Sequence, residues 1–479
     1  MRALISLISQ LTDDDVQWIF QTATEQQIAE NTVLIAEGGD VPAIYFVLEG
    51  LLGVFAADSG GRRLALVGPG EIVGEMSFLE LRAPTESVQA IEATMLLVLP
   101  RAALEAKLAE DIGFASRFHK GLAHSLSQRL RAANAHLRAQ SPAAVADDSG
   151  PWAPFGTAVR QFKDLMKEVD DAALKHHGDI PADVTAKVKK RFDEMTVMLN
   201  EGLGDRSPLN ERTREEFGIR IQHELLPYIQ LTENADRWYS KPRGYAGDFL
   251  SIDHIYKNVA TGSGRLGPLL DRCFLDVSAA VAVRNRRGVL AKAIHEAVAS
   301  RSGEQAQVTS LASGPAQELF DVYAELPDPT KLKANLVDMD LQALAFVADK
   351  RDRLRLGKRM VTYNENLIFL ALGRKSLELA NQDLVYSIGL IDYFGDDMVI
   401  KLLDWVHTIL RPGGKVILGN FHPDNNAKAL MDHVLEWKLI HRTEQDMDRI
   451  FQSSRFGRPS TAILWEEQRI NLFAECVKE

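Results

Sequence analysis

The chain has 479 residues, more than a single small module needs, and at roughly 150 residues per domain it predicts about three domains. Apolar residues supply 46% and charged residues 25%, a balance that excludes a disordered or fibrous chain. Lys and Arg number 55 against 66 Asp and Glu, a formal charge of −11, which argues against nucleic acid or an anionic membrane as main partner because phosphate binding draws on concentrated positive charge.

The first residues, Met1 to Ile8, are apolar, and Thr12-Asp13-Asp14-Asp15 then has the pattern of a helix N-cap with acids in the first turn rather than a cleavage site. Two cysteines, Cys273 and Cys476, make no disulfide framework and no metal-ligand spacing, so no metal is expected. No apolar run approaches the roughly 20 residues of a membrane span, and a cytoplasmic protein is expected. From about Ile28 to Leu99, short β-type runs such as Ile44-Tyr45-Phe46-Val47-Leu48 alternate with glycine turns, which predicts a small antiparallel barrel or roll. After Pro100 the pattern is helical through Arg138. Phe114, Phe118, Leu122, Leu126, Leu130, Ala133 and Leu137 recur there at spacings of four or three. That stripe packs either on its own barrel or on a second subunit, and the second case predicts a homodimer.

Gln140 to Pro154 reads as a linker, and helices follow over Val159 to His177, Ala182 to Leu203 and Asn210 to Leu231. The loop-like string Tyr239-Ser240-Lys241-Pro242-Arg243-Gly244-Tyr245-Ala246-Gly247-Asp248 interrupts them. From about Gln307, strand-like runs (Val308 to Leu311, Leu336-Val337, Met360 to Thr362, Leu384 to Tyr386, Lys415 to Leu418) alternate with helices, as in a parallel doubly wound sheet. The expected fold is multidomain: a β-roll module with a long helix over 1–139, a linker over 140–157, a helical cap over 158–300 and a Rossmann-like α/β sheet over 301–479. The last two are expected to fold as one unit.

The glycine grammar of the first module, with Gly70-Glu71-Ile72-Val73-Gly74-Glu75-Met76-Ser77, resembles the cyclic nucleotide-binding domain of catabolite-activator regulators and kinase regulatory subunits. The resemblance implies a phosphate-binding cassette opened by Gly74 and Glu75, the acid holding a ribose hydroxyl. The family's phosphate-pairing Arg is replaced: aligning Val88 and Ala90 on its Val-x-Ala puts Pro84 at the Arg position and Glu86 where a small residue belongs. A carboxylate beside a phosphate is repulsive. Arg82 and Thr85 are the remaining effector contacts, and two readings stay open: a cyclic nucleotide, or a degenerate module that dimerises the chain or senses another effector.

In the last module, Val308 to Glu318 reads as strand, tight turn and helix, and Leu336-Val337-Asp338-Met339-Asp340 follows about 20 residues on. Asp383 to Phe394 and Leu410-Arg411-Pro412-Gly413-Gly414-Lys415 resemble the fourth strand and the turn into the fifth strand of class I S-adenosylmethionine-dependent methyltransferases. The family's acid-x-Gly-x-Gly-x-Gly loop appears as Ser310-x-Ala312-x-Gly314-x-Ala316. The resemblance implies S-adenosylmethionine as cofactor, with Ser313, Gly314, Pro315, Met339, Ser387 and Gly389 lining its site. Glu318, or a residue from the helical segment, would hold the methionine amino group, Asp338 the ribose hydroxyls (Asp340 as a second choice) and Asn364 the adenine. The Tyr239–Asp248 string is similar to that of bacterial methyltransferases described as making hydroxy fatty acid methyl esters, and is expected to act as a lid.

Methyl transfer from a sulfonium is an in-line displacement that depends on alignment. A carboxylate acceptor needs only a cationic clamp, for which Arg243 is the choice; a hydroxyl or amine needs a base, for which Tyr245, Asp248, Tyr393 or His422 are candidates. The expected function is a methyltransferase for a small-molecule acceptor, such as a fatty acid or other carboxylate, regulated or dimerised by the first module. A non-catalytic sensor and a DNA-binding regulator are the alternatives.

Overall fold

The computed structural model describes residues 11–55, 63–80, 83–123, 126, 150–176 and 179–479. The chain divides into two compact units, residues 1–141 with 241–246, and residues 142–240 with 247–479.

The first unit opens on α1 (Asp13–Thr22), whose start is the predicted cap: Thr12 and Asp15 form a reciprocal capping box. Eight strands follow, β1 (Thr24–Ile28), β2 (Val33–Ile35), β3 (Ala43–Glu49), β4 (Leu52–Phe55), β5 (Arg63–Val67), β6 (Ile72–Val73), β7 (Ser87–Ala90) and β8 (Thr94–Pro100), with the short helix α2 (Glu75–Glu80) between β6 and β7. They build two antiparallel sheets of order β1-β8-β3-β6 and β2-β7-β4-β5. Tyr45, Val47, Leu52, Val67, Val88 and Leu96 fill the space between them.

The helical pattern after Pro100 is not one helix. α3 (Arg101–Glu110) stops at Asp111, which takes extended backbone, and the Asp111 carboxylate accepts the Phe114 amide at 2.8 Å to start a second helical stretch over 112–123. Phe114, Phe118 and Leu122 are fully buried within this chain, Phe114 packing edge-on against Trp18 at 5.3 Å. The first three positions of the predicted stripe are therefore buried within this chain, Phe114 against α1. Leu130, Ala133 and Leu137, and most of the predicted linker, lie outside the described residues.

The second unit begins with α4 (Ala153–Lys175), α5 (Ala182–Leu203) and α6 (Glu211–Ile229), then α7 (Asn234–Ser240), α8 (Phe249–Lys257), α9 (Leu266–Leu275) and α10 (Ser278–Ala299). Buried residues repeat at helical spacing, Phe155, Val159, Phe162, Met166, Val169 and Ala173 in α4 and Val188, Phe192, Met195, Leu199 and Leu203 in α5. β9 (Ala306–Leu311), α11 (Gln317–Glu325), β10 (Leu332–Asp338), α12 (Leu341–Arg353), β11 (Met360–Asn364), α13 (Leu367–Ala371), β12 (Gln382–Ile388), α14 (Asp396–Ile409), β13 (Leu410–Phe421), α15 (Glu444–Ser453), β14 (Ala462–Trp465) and β15 (Asn471–Val477) follow.

These strands form one seven-stranded sheet of order β11-β10-β9-β12-β13-β15-β14. β9 to β13 are mutually parallel, and β15 runs antiparallel to both of its neighbours, β13 and β14. Leu290, Ala293, Ile294 and Ala297 of α10 pack with Leu319 and Val322 of α11 on Val308, Leu336, Leu384 and Tyr386, so the last cap helix shares the sheet's core. The chain steps from β9 outward to β11, then returns to the other side of β9 as β12. The carboxyl ends of β9 and β12 thus form a topological switch point, where open α/β sheets bind ligands.

Candidate functional site

The turn after β9 carries three left-handed residues in alternation, Ala312 (φ +51°), Gly314 (φ +52°) and Ala316 (φ +48°). Ala312 and Ala316 thus take a left-handed backbone that glycine favours. Each alanine in that conformation costs roughly 1–2 kcal/mol. A Cβ on Gly314 would meet nothing within 4 Å, so that position opens onto free space. Ser313 is 7% exposed, and among the described residues its Oγ has no hydrogen-bond partner. A buried hydroxyl left unpaired costs on the order of 1–3 kcal/mol unless something outside the chain completes it.

Asp338 ends β10 and reaches back to this turn. One carboxylate oxygen accepts the Gly314 amide at 2.9 Å and the other the Asp340 amide at 2.9 Å. Burial outweighs these bonds and pushes the carboxyl up to about 6. Asp340 itself is the N-cap of α12, accepting from Gln342 and Ala343. Across the β10–β11 edge, the Asn364 side chain donates to the Met339 carbonyl at 3.0 Å.

On the β12 side, the Ser387 hydroxyl donates to the Leu311 carbonyl at 3.1 Å and so ties the two central strands together. Gly389 has φ +79°, and a Cβ there would stand 3.2 Å from Nη1 of Arg286. Arg286 comes from α10 and its Nε donates to the Tyr256 hydroxyl of α8 at 3.2 Å. Glu318, 2% exposed near the start of α11, accepts the Tyr386 hydroxyl at 2.7 Å, and burial raises its carboxyl above the usual range. Asp392, just beyond β12, accepts the Phe421 amide at 2.8 Å and is raised by burial to about 6.

Sequence reading therefore brought Ser313, Gly314, Pro315, Glu318, Asp338, Met339, Asn364, Ser387 and Gly389 to one end of one sheet. It missed Arg286, Tyr256 and Asp392. The available signal was helical phase, since Arg286 falls in line with the buried Ala282, Val283, Leu290 and Ala293.

The proposed bases differ in their surroundings. Asp248 is fully buried as the N-cap of α8. Its oxygens accept from the Leu250 and Ser251 amides, the Ser251 hydroxyl at 2.9 Å and Nη2 of Arg237 at 2.7 Å. That carboxylate is committed to structure. Tyr393 follows β12, its hydroxyl accepting Trp437 Nε1 at 2.9 Å, and a Cβ on Gly247 would come within 2.8 Å of it. His422 caps β13: its Nδ1 faces the Asp424 amide at 3.2 Å and its Nε2 lies 3.4 Å from Glu444, while Trp465 packs edge-on at 5.3 Å. Arg243 and Tyr245 lie in the segment Lys241–Ala246, which groups with the first unit.

The turn into β13 sits at the opposite end of the sheet. Arg411 pairs with Asp383 at the start of β12, and Asp383 also accepts the Gln307 amide at 2.7 Å. This motif fixes the strand order rather than the site.

In the first unit, Gly74 has φ +88°, and a Cβ on it would come within 2.7 Å of the Ala43 carbonyl. Glu75 is 3% exposed at the first turn of α2. Thr85 is exposed and its hydroxyl donates to Glu86 at 2.6 Å, while the Pro84 carbonyl accepts the Gly38 amide at 2.8 Å. Arg82 lies outside the described residues.

Residues 25–111 match the cyclic nucleotide-binding domain, and residues 244–464 match a family described as "Putative methyltransferase". The chain joins a cyclic nucleotide-binding domain to a methyltransferase-family domain. Curated relatives cover the first of these. A Rhodopseudomonas palustris protein described as "Putative potassium channel protein" is 29% identical over 150 residues, 31% of this chain and 36% of that protein. The cyclic AMP receptor protein of Thermus thermophilus is 46% identical over 61 residues, 12% of this chain and 28% of that one. The chain thus spans about a third of the length of the curated relatives it matches. Among solved structures, an exported-protein candidate from Bordetella parapertussis is 18% identical, with 62% of this chain and 97% of that one covered at a TM-score of 0.43. The methyltransferase-family domain is the mostly parallel sheet with its helices, and the cyclic nucleotide-binding domain is the paired antiparallel sheets.

Proposed function

We propose that the chain is an S-adenosylmethionine-dependent methyltransferase for a small-molecule acceptor, with the cyclic nucleotide-binding domain as its regulatory part. The observation that carries this reading is the Asp338–Gly314 hydrogen bond at the switch point. It joins a strand-end carboxylate to a left-handed turn whose Ser313 hydroxyl is buried and has no partner among the described residues.

The residues present fit such a donor. S-adenosylmethionine would supply an electrophilic methyl group on a sulfonium. Asp338 keeps lone pairs on both oxygens for two ribose hydroxyls. Ala312, Gly314 and Ala316 hold the turn so that backbone can approach a ligand closely, and the Ser313 hydroxyl gains the partner it lacks. Asn364 stands at the end of β11, in register with Asp338 and suited to the adenine side. Glu318 offers a carboxylate to the ammonium group.

The acceptor reading, a fatty acid or other carboxylate, is supported by the likeness of the Tyr239–Asp248 string to ester-forming methyltransferases. A carboxylate is already a nucleophile, so no base is required. With Asp248 spent on a helix cap, Tyr393 and His422 are the side chains available to orient the acceptor at the ends of β12 and β13.

Calorimetric titration of the full chain with S-adenosylhomocysteine tests the donor site. Binding to wild type and its loss on Asp338→Ala are expected, and equal affinity in both would overturn the assignment.

A further inference from the structure

Arg286 stands at the sheet's carboxyl end with 6% of its surface exposed. Taking a guanidinium out of water costs several kcal/mol unless its donors are satisfied. Arg442, buried elsewhere in the same unit, shows a satisfied case: its nitrogens donate to the Ile391 carbonyl at 2.8 Å, Asn420 Oδ1 at 2.9 Å, Asp396 at 3.0 Å and the Phe394 carbonyl at 2.5 Å. Arg286 differs. Its Nε donates to Tyr256, but among the described residues neither terminal nitrogen has a hydrogen-bond acceptor.

Those terminal nitrogens are directed at the switch point. Nη1 lies 3.2 Å from where a Cβ on Gly389 would sit, and Gly389 is the first residue beyond β12. A side chain there would run into the guanidinium, so glycine keeps its approach to the crevice open. Glu318 lies within electrostatic reach of the same guanidinium, at the start of the helix that follows the β9 turn. A cation with a free bidentate edge beside a carboxylate, both nearly dry, is complementary to an α-amino-acid zwitterion.

We propose that Arg286 binds the carboxylate of the donor's amino-acid end, with Glu318 facing its ammonium group. This rests on the donor reading above and names the groups that recognise the end of the ligand distal to Asp338. It makes Arg286 a specificity residue that separates a donor with an intact amino acid from other adenosine thioethers.

The test compares two ligands on the full chain by calorimetry, S-adenosylhomocysteine and its decarboxylated counterpart, the 3-aminopropyl thioether of adenosine. Wild type should favour the first by about tenfold to a hundredfold, the range for a charge-assisted hydrogen-bonded pair. Arg286→Met should bind both alike, with its affinity for the decarboxylated ligand near that of wild type; Arg286→Lys should keep part of the preference. A wild-type preference that survives in Arg286→Met, or no preference in wild type, overturns this proposal alone. Failure of wild type to bind either ligand overturns the donor reading and this proposal with it. Should Arg286→Met lose its cooperative thermal transition, Arg286→Lys decides, because a compact ammonium cannot grip a carboxylate bidentately and an undiminished preference would exclude Arg286.

Discussion

Replacing Asp338 by Asn changes one atom and one charge at the end of β10. In the wild type both carboxylate oxygens accept backbone amides at 2.9 Å, yet burial still pushes the carboxyl from 3.8 to about 6. Holding it ionised at pH 7.5 therefore costs about 3 kcal/mol of folding stability. Because the folded value lies above the unfolded one, the folded chain retains a proton between roughly pH 4 and 6 that the unfolded chain has released. This group's contribution to stability thus falls as pH rises through that window and levels off above it. Asn abolishes the dependence, but sets an amide N–H against a backbone N–H at a cost of about 1–3 kcal/mol. Urea unfolding of Asp338→Asn at pH 7.5 should fall within about 2 kcal/mol of wild type, and wild type should lose about 3 kcal/mol relative to the variant between pH 3 and pH 7. Affinity for S-adenosylhomocysteine at pH 7.5 should drop about a hundredfold, two hydroxyl-to-carboxylate bonds being weakened. Wild-type affinity should itself weaken below about pH 6, where a proton must leave before the ribose hydroxyls can donate. A folded Asp338→Asn variant with wild-type affinity would refute the reasoning.

Asp248→Ala strips the α8 cap and leaves Arg237 without its carboxylate, so unfolding in urea should show a loss of about 3–5 kcal/mol; a stable variant with impaired turnover would instead mark a base. Ala312→Gly relieves a left-handed alanine and should gain about 0.5–1 kcal/mol, read as a rise in Tm, whereas a lower Tm would mean the turn is not strained. In the first unit, Pro84→Arg restores a cation at the cassette position that lacks one, and affinity for cyclic AMP by calorimetry should rise at least about tenfold over wild type. No change would show that the alignment of Pro84 with the phosphate position is mistaken.

Much of this was legible because the physics is local. α5 begins after Pro181 and ends before Gly204, and its buried Val188, Phe192, Met195 and Leu199 keep helical phase, so the sequence boundaries of that helix coincide with the structural ones. The strand–turn–helix of β9 and α11 and the acid ending β10 were readable from spacing. The break at Asp111 was not, because it depends on a side chain accepting an amide three residues on, and the one glycine beside it, Gly113, lies inside the helical stretch that follows rather than at the break. The β14–β15 hairpin was missed because Ala462–Trp465 is only four residues long, while Asn471–Val477 is buried on both faces and shows little alternation. Arg286 was hidden for a different reason: charge in a helix reads as solvated, and only the tertiary position of α10 over the switch point turns its guanidinium inward. The Arg411 turn was recognisable as a motif, yet its chemistry serves strand order through Asp383, at the far end of the sheet from Asp338.

The central claim is that the switch point of the seven-stranded sheet holds a methyl donor. Ultraviolet cross-linking of methyl-labelled S-adenosylmethionine to the full chain, followed by peptide mapping, tests it most directly. The account predicts one labelled site, falling within residues 311–340 or 386–392 and competed away by S-adenosylhomocysteine. Label elsewhere in the chain, or none above an unrelated protein, would contradict it.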